Sequence, residues 1–307
     1  EELWGSARKP LERLGRLAEA SAAEVKEARR LYVQMREAIR GEEMLLTVLA
    51  ASRVDAEVAG AVGSANVATN FKGSGDLFSQ AIGRRAAKAL EGLDPLHFPI
   101  AFPQVFLGQR AGFDVIVGNP PWEEATVEED AFWARHNPGM RSLPQREQEL
   151  RKAALRRERA DLAAILERQV EEAGRLRALL TAGPYPGMGT GDPDVYKAFC
   201  WRFWSLVAKD GGRIGVVLPR SALAAKGSTE FRLEVFKGSR AVDVTMVLNN
   251  KNWMFPEVHP QYTIGLVSIV RGAIEDAPIA LRGPYASLGR FTAGVVRDAA
   301  VFKGRDV

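Results

Sequence analysis

The sequence predicts an α/β fold, an open and mainly parallel sheet carrying large helical insertions. Three observations predict it. Short runs rich in β-branched and aliphatic residues recur along the chain: FDVIVG (Phe113 to Gly118), RIGVVLP (Arg213 to Pro219), VDVTMVLNN (Val242 to Asn250) and YTIGLVSIV (Tyr262 to Val270). Such runs read as strands of the buried kind. Stretches with helical spacing of apolar residues precede or separate several of them. Alternation of helix and strand then favours parallel strands joined by helical crossovers.

Taken in order, residues 1–92 form a helical segment. Leu14, Leu17, Val25, Ala28, Leu31, Met35 and Ile39 recur at roughly helical spacing, so Leu11 to Arg40 reads as helix. Glu43 to Val62 and Leu77 to Leu90 continue the pattern, with a Gly-, Ser- and Asn-rich loop between them. Residues 93–122 begin with LDPLHFPIAFPQVF, whose prolines and rings suggest an extended segment packing its aromatics. A buried strand, FDVIVG, follows and stops at Asn119-Pro120-Pro121-Trp122. Residues 123–190 read as a charged helical insertion. Its centre, Gln145 to Leu180, is expected to be a solvated amphipathic helix, with a hairpin arm or coiled coil as the other reading. Residues 191–272 return to the sheet. A helix from Asp194 carries Tyr196, Phe199, Phe203, Leu206 and Val207 on its expected core face, and Gly211-Gly212 closes it. A helix over Thr229 to Phe236 and two further strands follow, joined by the aromatic loop KNWMFPEVHPQ. Residues 273–307 read as a linker or the start of a next domain.

Composition narrows the function. With 307 residues, 46% hydrophobic and 26% charged, the chain has the make-up of a folded globular protein. Its single cysteine, Cys200, excludes an internal disulfide and a Cys-rich zinc site. His97, His136 and His259 form no HExxH pattern, and no metal site is expected. The longest apolar runs are too short to span a bilayer and no signal-peptide core opens the chain, so a cytoplasmic protein is expected. A net charge of +4 is compatible with nucleic-acid binding without establishing it. The chain opens on Glu1 in charged helical sequence, and the expectation is a piece of a longer polypeptide.

Chemistry concentrates where the first strand ends. In open α/β sheets, reactive groups gather outside the carboxyl ends of strands. Pro120 pushes Asn119 out of the helical region, and the paired prolines fix the turn. The corner offers two hydrogen-bond acceptors, the Asn119 side-chain oxygen and the Pro120 carbonyl, beside the flat face of Trp122. Two acceptors and a stacking face suit a planar group that bears an NH₂. Held by both N–H bonds, such a nitrogen keeps its lone pair toward an electrophile.

FDVIVGNPPW resembles the catalytic motif of amino-methylating DNA methyltransferases, specifically the N6-adenine enzymes of restriction-modification and phage-defence systems. HFPIAFPQVF (His97 to Phe106) is similar to the lead-in of the large members. GGRIGVVLPRSAL (Gly211 to Leu223) resembles their next core strand, and NWMFPEVHPQYTIGLVSI their later aromatic loop and strand pair. The resemblance covers Leu93 to Arg271 without the charged insertion. It implies a partial Rossmann-like class I methyltransferase sheet, S-adenosyl-L-methionine as methyl donor and double-stranded DNA as partner. It also implies that Asn119 and Pro120 bind the adenine amino group, that Pro121 completes the motif, and that Trp122 and Phe255 pack on the two faces of a flipped base.

The family also holds its cofactor on an earlier strand ending in a Gly-rich turn. FKGSGD (Phe71 to Asp76) is the one candidate and lacks a clean strand before it. The expectation is therefore that the cofactor half lies upstream of Glu1, and that this chain alone is inactive. Plain readings stand beside these: Asn-Pro-Pro as a simple turn, Trp122 as packing, Trp253 in place of Phe255, Asp114 as a cap, and the Arg146 to Arg159 stretch as a solvated helix rather than a phosphate contact. A protein-glutamine or RNA amino methyltransferase, and a non-catalytic DNA-binding or assembly module, are the alternative functions.

Overall fold

A computed structural model describes residues 5–18, 21–64, 77–106, 110–188, 193–256, 258–297 and 299–303. The candidate glycine turn at 71–76 lies outside them.

The first section is helical: α1 (Gly5–Leu14), α2 (Ala22–Ala38), α3 (Arg40–Ala51), α4 (Ala56–Ser64) and α5 (Leu77–Ala89). The single helix expected over Leu11 to Arg40 is two. Ser21 starts the second with a capping box: its side chain accepts from the Glu24 N–H while the Glu24 carboxylate accepts from the Ser21 N–H. Val48, Ala51, Val58, Ile82, Ala86 and Leu90 form a core between α3, α4 and α5.

The proline- and ring-rich segment is not extended. It makes two short helices, α6 (Phe98–Ala101) and α7 (Pro103–Phe106). Pro99 and Pro103 sit in their first turns, where a missing N–H costs nothing and the fixed φ is already helical. The rings do pack: Phe102 and Phe106 lie edge-on to Phe113 at 5.5 and 5.4 Å.

Next come β1 (Val115–Gly118), α8 (Glu129–His136), α9 (Gln145–Glu158) and α10 (Ala160–Ala182). The long charged helix is interrupted at Arg159, whose φ of −125° and ψ of 65° are not helical. Nor is it simply solvated. Leu155, Leu162 and Leu166 close over Phe132, Trp133 and Met140 in a satellite core. The remaining elements are α11 (Val195–Leu206), β2 (Arg213–Pro219), α12 (Arg220–Ala224), α13 (Thr229–Gly238), β3 (Ser239–Leu248), β4 (Thr263–Arg271), β5 (Pro278–Tyr285), α14 (Leu288–Gly294) and β6 (Ala300–Lys303).

The six strands form one sheet in the order β1-β2-β4-β3-β5-β6. It is mixed rather than mainly parallel. β1 pairs with β2, and β3 with β5, in parallel; the pairings of β4 with β2 and β3, and of β6 with β5, are antiparallel. The cause is the β3–β4 connection. Among its described residues it contains a 3₁₀ turn at Asn250–Asn252 and no crossover helix, so the chain comes straight back. β5 and β6, from the stretch read as a linker or further domain, are hydrogen-bonded into this same sheet.

One face of the sheet buries Ile214, Val216, Leu218, Val242, Val244, Val267 and Ile269 under Tyr196, Cys200 and Trp204 of α11 and Val235 of α13. Arg271 stacks its guanidinium 4.1 Å from the Trp204 ring and donates to the Trp204 carbonyl. Phe199, expected in this core, is 38% exposed, because α11 points residues 196, 200 and 204 inward and turns 199 to the flank. β1 departs from expectation as well. Among the described residues it is one of the two edge strands, with Val115 58% and Val117 80% exposed, and of the three only Ile116 turns toward the core.

Candidate active site

The corner is built by locking β1 at both ends. Before the strand, the Phe113 N–H donates to the Leu206 carbonyl and its carbonyl accepts from Ala208, both at 2.9 Å. The Arg213 N–H donates to the Asp114 carbonyl at 2.9 Å, which sets the parallel register. The Asp114 side chain points outward to Arg110. At the other end Gly118 stands opposite Val216, so Val217 to Pro219 of β2 run on past it. Asn119 therefore leaves the sheet beside a strand that continues.

Asn119 is exposed, Pro120 buried and Pro121 exposed. Among the described residues, neither the Asn119 carboxamide nor the Pro120 carbonyl takes part in a hydrogen bond. Both predicted acceptors are thus uncommitted. Trp122 is half-buried and packs against the sheet–α11 core; its indole N–H is shielded and has no partner among the described residues. Beyond it the chain is tied to the start of α11, with the Val195 N–H donating to Glu123 O at 3.0 Å and Glu124 bridging Asp194. Lys197, nearly buried, pairs with Asp194 at 2.8 Å. One residue away, Tyr196 Oη donates to Ser221 Oγ at 3.0 Å, joining the starts of α11 and α12.

The aromatic loop opens at this same end of the sheet. Leu248 of β3 faces Thr263 of β4, and Ile264 faces Pro219 of β2. Two strand spacings, roughly 10 Å, separate β4 from β1. Trp253 and Phe255, both candidates from sequence, differ in structure. Trp253 is an anchor: its indole N–H donates to Leu248 O at 2.9 Å and its ring meets Phe291 of α14 at 6.2 Å. Phe255 is half-buried and joins no aromatic pair among the described residues. Sequence reading missed Asn249, the fully buried root of this loop. An asparagine after a strand reads only as a turn residue, and nothing in its neighbours marks it as more.

Other candidates lie elsewhere. The cations of the Arg146 to Arg159 stretch are largely matched locally: Lys152 with Asp130 and Glu149, Arg156 with Glu129, Arg151 with Glu158, Arg159 with Asp161. Burial pushes the Cys200 thiol up to about 12, so it offers no nucleophile near neutral pH. An apolar cavity of about 610 Å³ lies between α12, α13 and strands β3 and β5, lined by Leu223, Phe231, Val235 and Met246, away from Asn119. Among the described residues no His, Cys, Asp or Glu cluster could hold a metal, and no strand ends in a glycine-rich turn that opens a helix.

No protein-family model matches the chain, and no curated protein matches it. Solved structures that are loosely similar include two of restriction-modification proteins. One is the crystal structure of a modification subunit of a type I restriction enzyme from Vibrio vulnificus YJ016, at TM-score 0.37 and 14% identity, covering 74% of this chain and 42% of that one. The other is the cryoEM structure of a DrdV–DNA complex, at TM-score 0.31 and 15% identity, covering 69% and 17%. The chain thus spans less than half the length of either.

Proposed function

We propose that this chain carries the base-accepting side of an S-adenosylmethionine-dependent DNA methyltransferase acting on the exocyclic N6 of adenine. One observation carries the reading: an exposed carboxamide with no hydrogen bond to any described residue, held at the carboxyl end of a strand by a buried proline. The carboxamide is open to solvent and engages no described residue, so its oxygen can accept from an outside donor, and the prolines after it constrain the backbone that presents it.

The target adenine leaves the duplex, since its amino group is otherwise paired. Its two N–H bonds donate to Asn119 Oδ1 and the Pro120 carbonyl. Both acceptors would stabilise positive charge on that nitrogen without reorganising and would hold its lone pair toward an electrophile. Trp122 supports one face of the base and Phe255 closes on the other. S-adenosylmethionine, when bound, supplies the methyl group from its sulfonium. The glycine-rich candidate that would hold it, at 71–76, lies outside the described residues.

The test is tritiated methyl transfer by the full-length protein to unmethylated duplex DNA, with RNA and protein as parallel acceptors. Asn119→Ala is expected to lower transfer by about 100-fold or more, while cofactor binding is retained. An unchanged rate removes Asn119 from the chemistry. Transfer to RNA or protein alone would replace the substrate.

A further inference from the structure

Asn249 is completely buried where β3 ends, and the chemistry above gives it no task. Its carboxamide is saturated by the loop it begins. Nδ2 donates to the carbonyls of Phe255 and Val258, each at 2.8 Å. Oδ1 accepts from the N–H groups of Phe255 at 3.0 Å and Met254 at 3.3 Å. The Asn249 main-chain N–H donates across to Tyr262 O at 3.0 Å, fixing the root on β4. Phe255 is therefore clamped on both sides of its Cα by one side chain.

The clamp has work to do. Lys251 and Asn252 both hold φ of 57°, a left-handed conformation that costs energy in non-glycine residues. The loop has no ladder of its own to offset that cost. Only a carboxamide of this length both accepts and donates here: aspartate cannot donate, leucine does neither, and glutamine is a methylene too long.

We propose that Asn249 is a positioning residue, setting the backbone of Phe255 so that its ring meets the flipped base opposite Trp122. This rests on the methyltransferase reading. The experiment uses the full-length enzyme with Asn249→Ala, Asn249→Asp, Phe255→Ala and the Asn249→Ala/Phe255→Ala pair, measured by methyl transfer and by amide hydrogen exchange. Asn249→Ala should lower kcat/KM for DNA by about 100-fold and leave KM for the cofactor within about twofold. The pair should be no worse than the poorer single variant, because both remove one function. Asn249→Asp sets a buried carboxylate oxygen against the Phe255 and Val258 carbonyls and should lose at least as much as Asn249→Ala. The Met254 and Phe255 amides should exchange about tenfold faster in Asn249→Ala, with β2 and β4 unchanged.

Losses that multiply in the pair, or an Asn249→Ala enzyme within about twofold of wild type, overturn the proposal. If Asn249→Ala does not fold, Asn249→Ser is measured in its place, and Met254 and Phe255 amides that exchange there as in wild type overturn the proposal. If wild type methylates no acceptor, the methyltransferase reading fails. The exchange arm then still decides whether Asn249 fixes Phe255, and unchanged amide rates would refute that.

Discussion

Phe203, on the flank of α11, lies so close over Gly118 at the end of β1 that a Cβ there would stand 3.2 Å from its ring edge. The contact couples the helix to the residue before Asn119. A larger side chain has to push the ring or the strand aside, and the strand end carries the acceptor corner. Gly118→Val should destabilise by about 1–3 kcal/mol, and adding Phe203→Leu should recover part of the loss. Urea denaturation of the two variants measures this; equal stability of Gly118→Val and wild type would show that the contact is slack.

Much of this arrangement can be read from the sequence, and the gaps have physical causes. β2, β3 and β4 are visible as β-branched runs because both their faces or their neighbours are apolar. FDVIVG looks the same whether it lies inside a sheet or at its rim, so the exposure of Val115 and Val117 is not encoded in its pattern. Strand direction is likewise absent from hydrophobicity. It was available in the loop, because the stretch between Leu248 and Thr263 has no helical pattern to carry a parallel crossover. Asn119 to Trp122 are legible because prolines constrain the chain locally. Asn249 is not, because its partners are backbone groups that the loop brings back to it.

Trp122 and Asn119 are neighbours in the motif but differ in what they give the fold. Trp122 packs on the core with an indole N–H shielded from solvent and without a partner among the described residues. Removing that N–H removes a desolvation cost, so Trp122→Phe should match or exceed wild-type stability. Trp122→Ala should lose about 2 kcal/mol, less than a fully buried tryptophan would. Asn119→Ala should change stability by no more than about 0.5 kcal/mol. Chemical denaturation of all three separates packing from chemistry, and a Trp122→Phe loss as large as that of Trp122→Ala would mean the N–H has a partner after all.

His97 packs against α3 and gives the protein a pH dependence of definite sign. It is half-buried, with Nε2 3.2 Å from Thr47 Oγ1. Burial pushes its pKa below the ordinary 6.5; Glu43 pulls the other way and Arg202 adds to the depression. The folded state then binds fewer protons than the unfolded one just below that value. Its share of stability is present above about pH 6.5 and is lost as the pH falls toward the depressed folded value. Urea midpoints taken from about pH 7.5 to 5.5 should drop more steeply for wild type than for His97→Gln. Equal slopes would mean that His97 is as free to protonate folded as unfolded.

Val117 is 80% exposed on the outer strand, while its neighbour Ile116 turns toward the core. β1 carries no lysine or proline among Val115 to Gly118, the usual means of blunting an open rim. In this chain the two positions should respond oppositely to change. Val117→Lys should alter stability by no more than about 0.5 kcal/mol, since the side chain already stands in water. Ile116→Ala, which opens space beneath α11, should cost about 2 kcal/mol or more. Equilibrium unfolding of residues 1–307 measures both. A loss of about 2 kcal/mol or more in Val117→Lys would instead place apolar cover against β1.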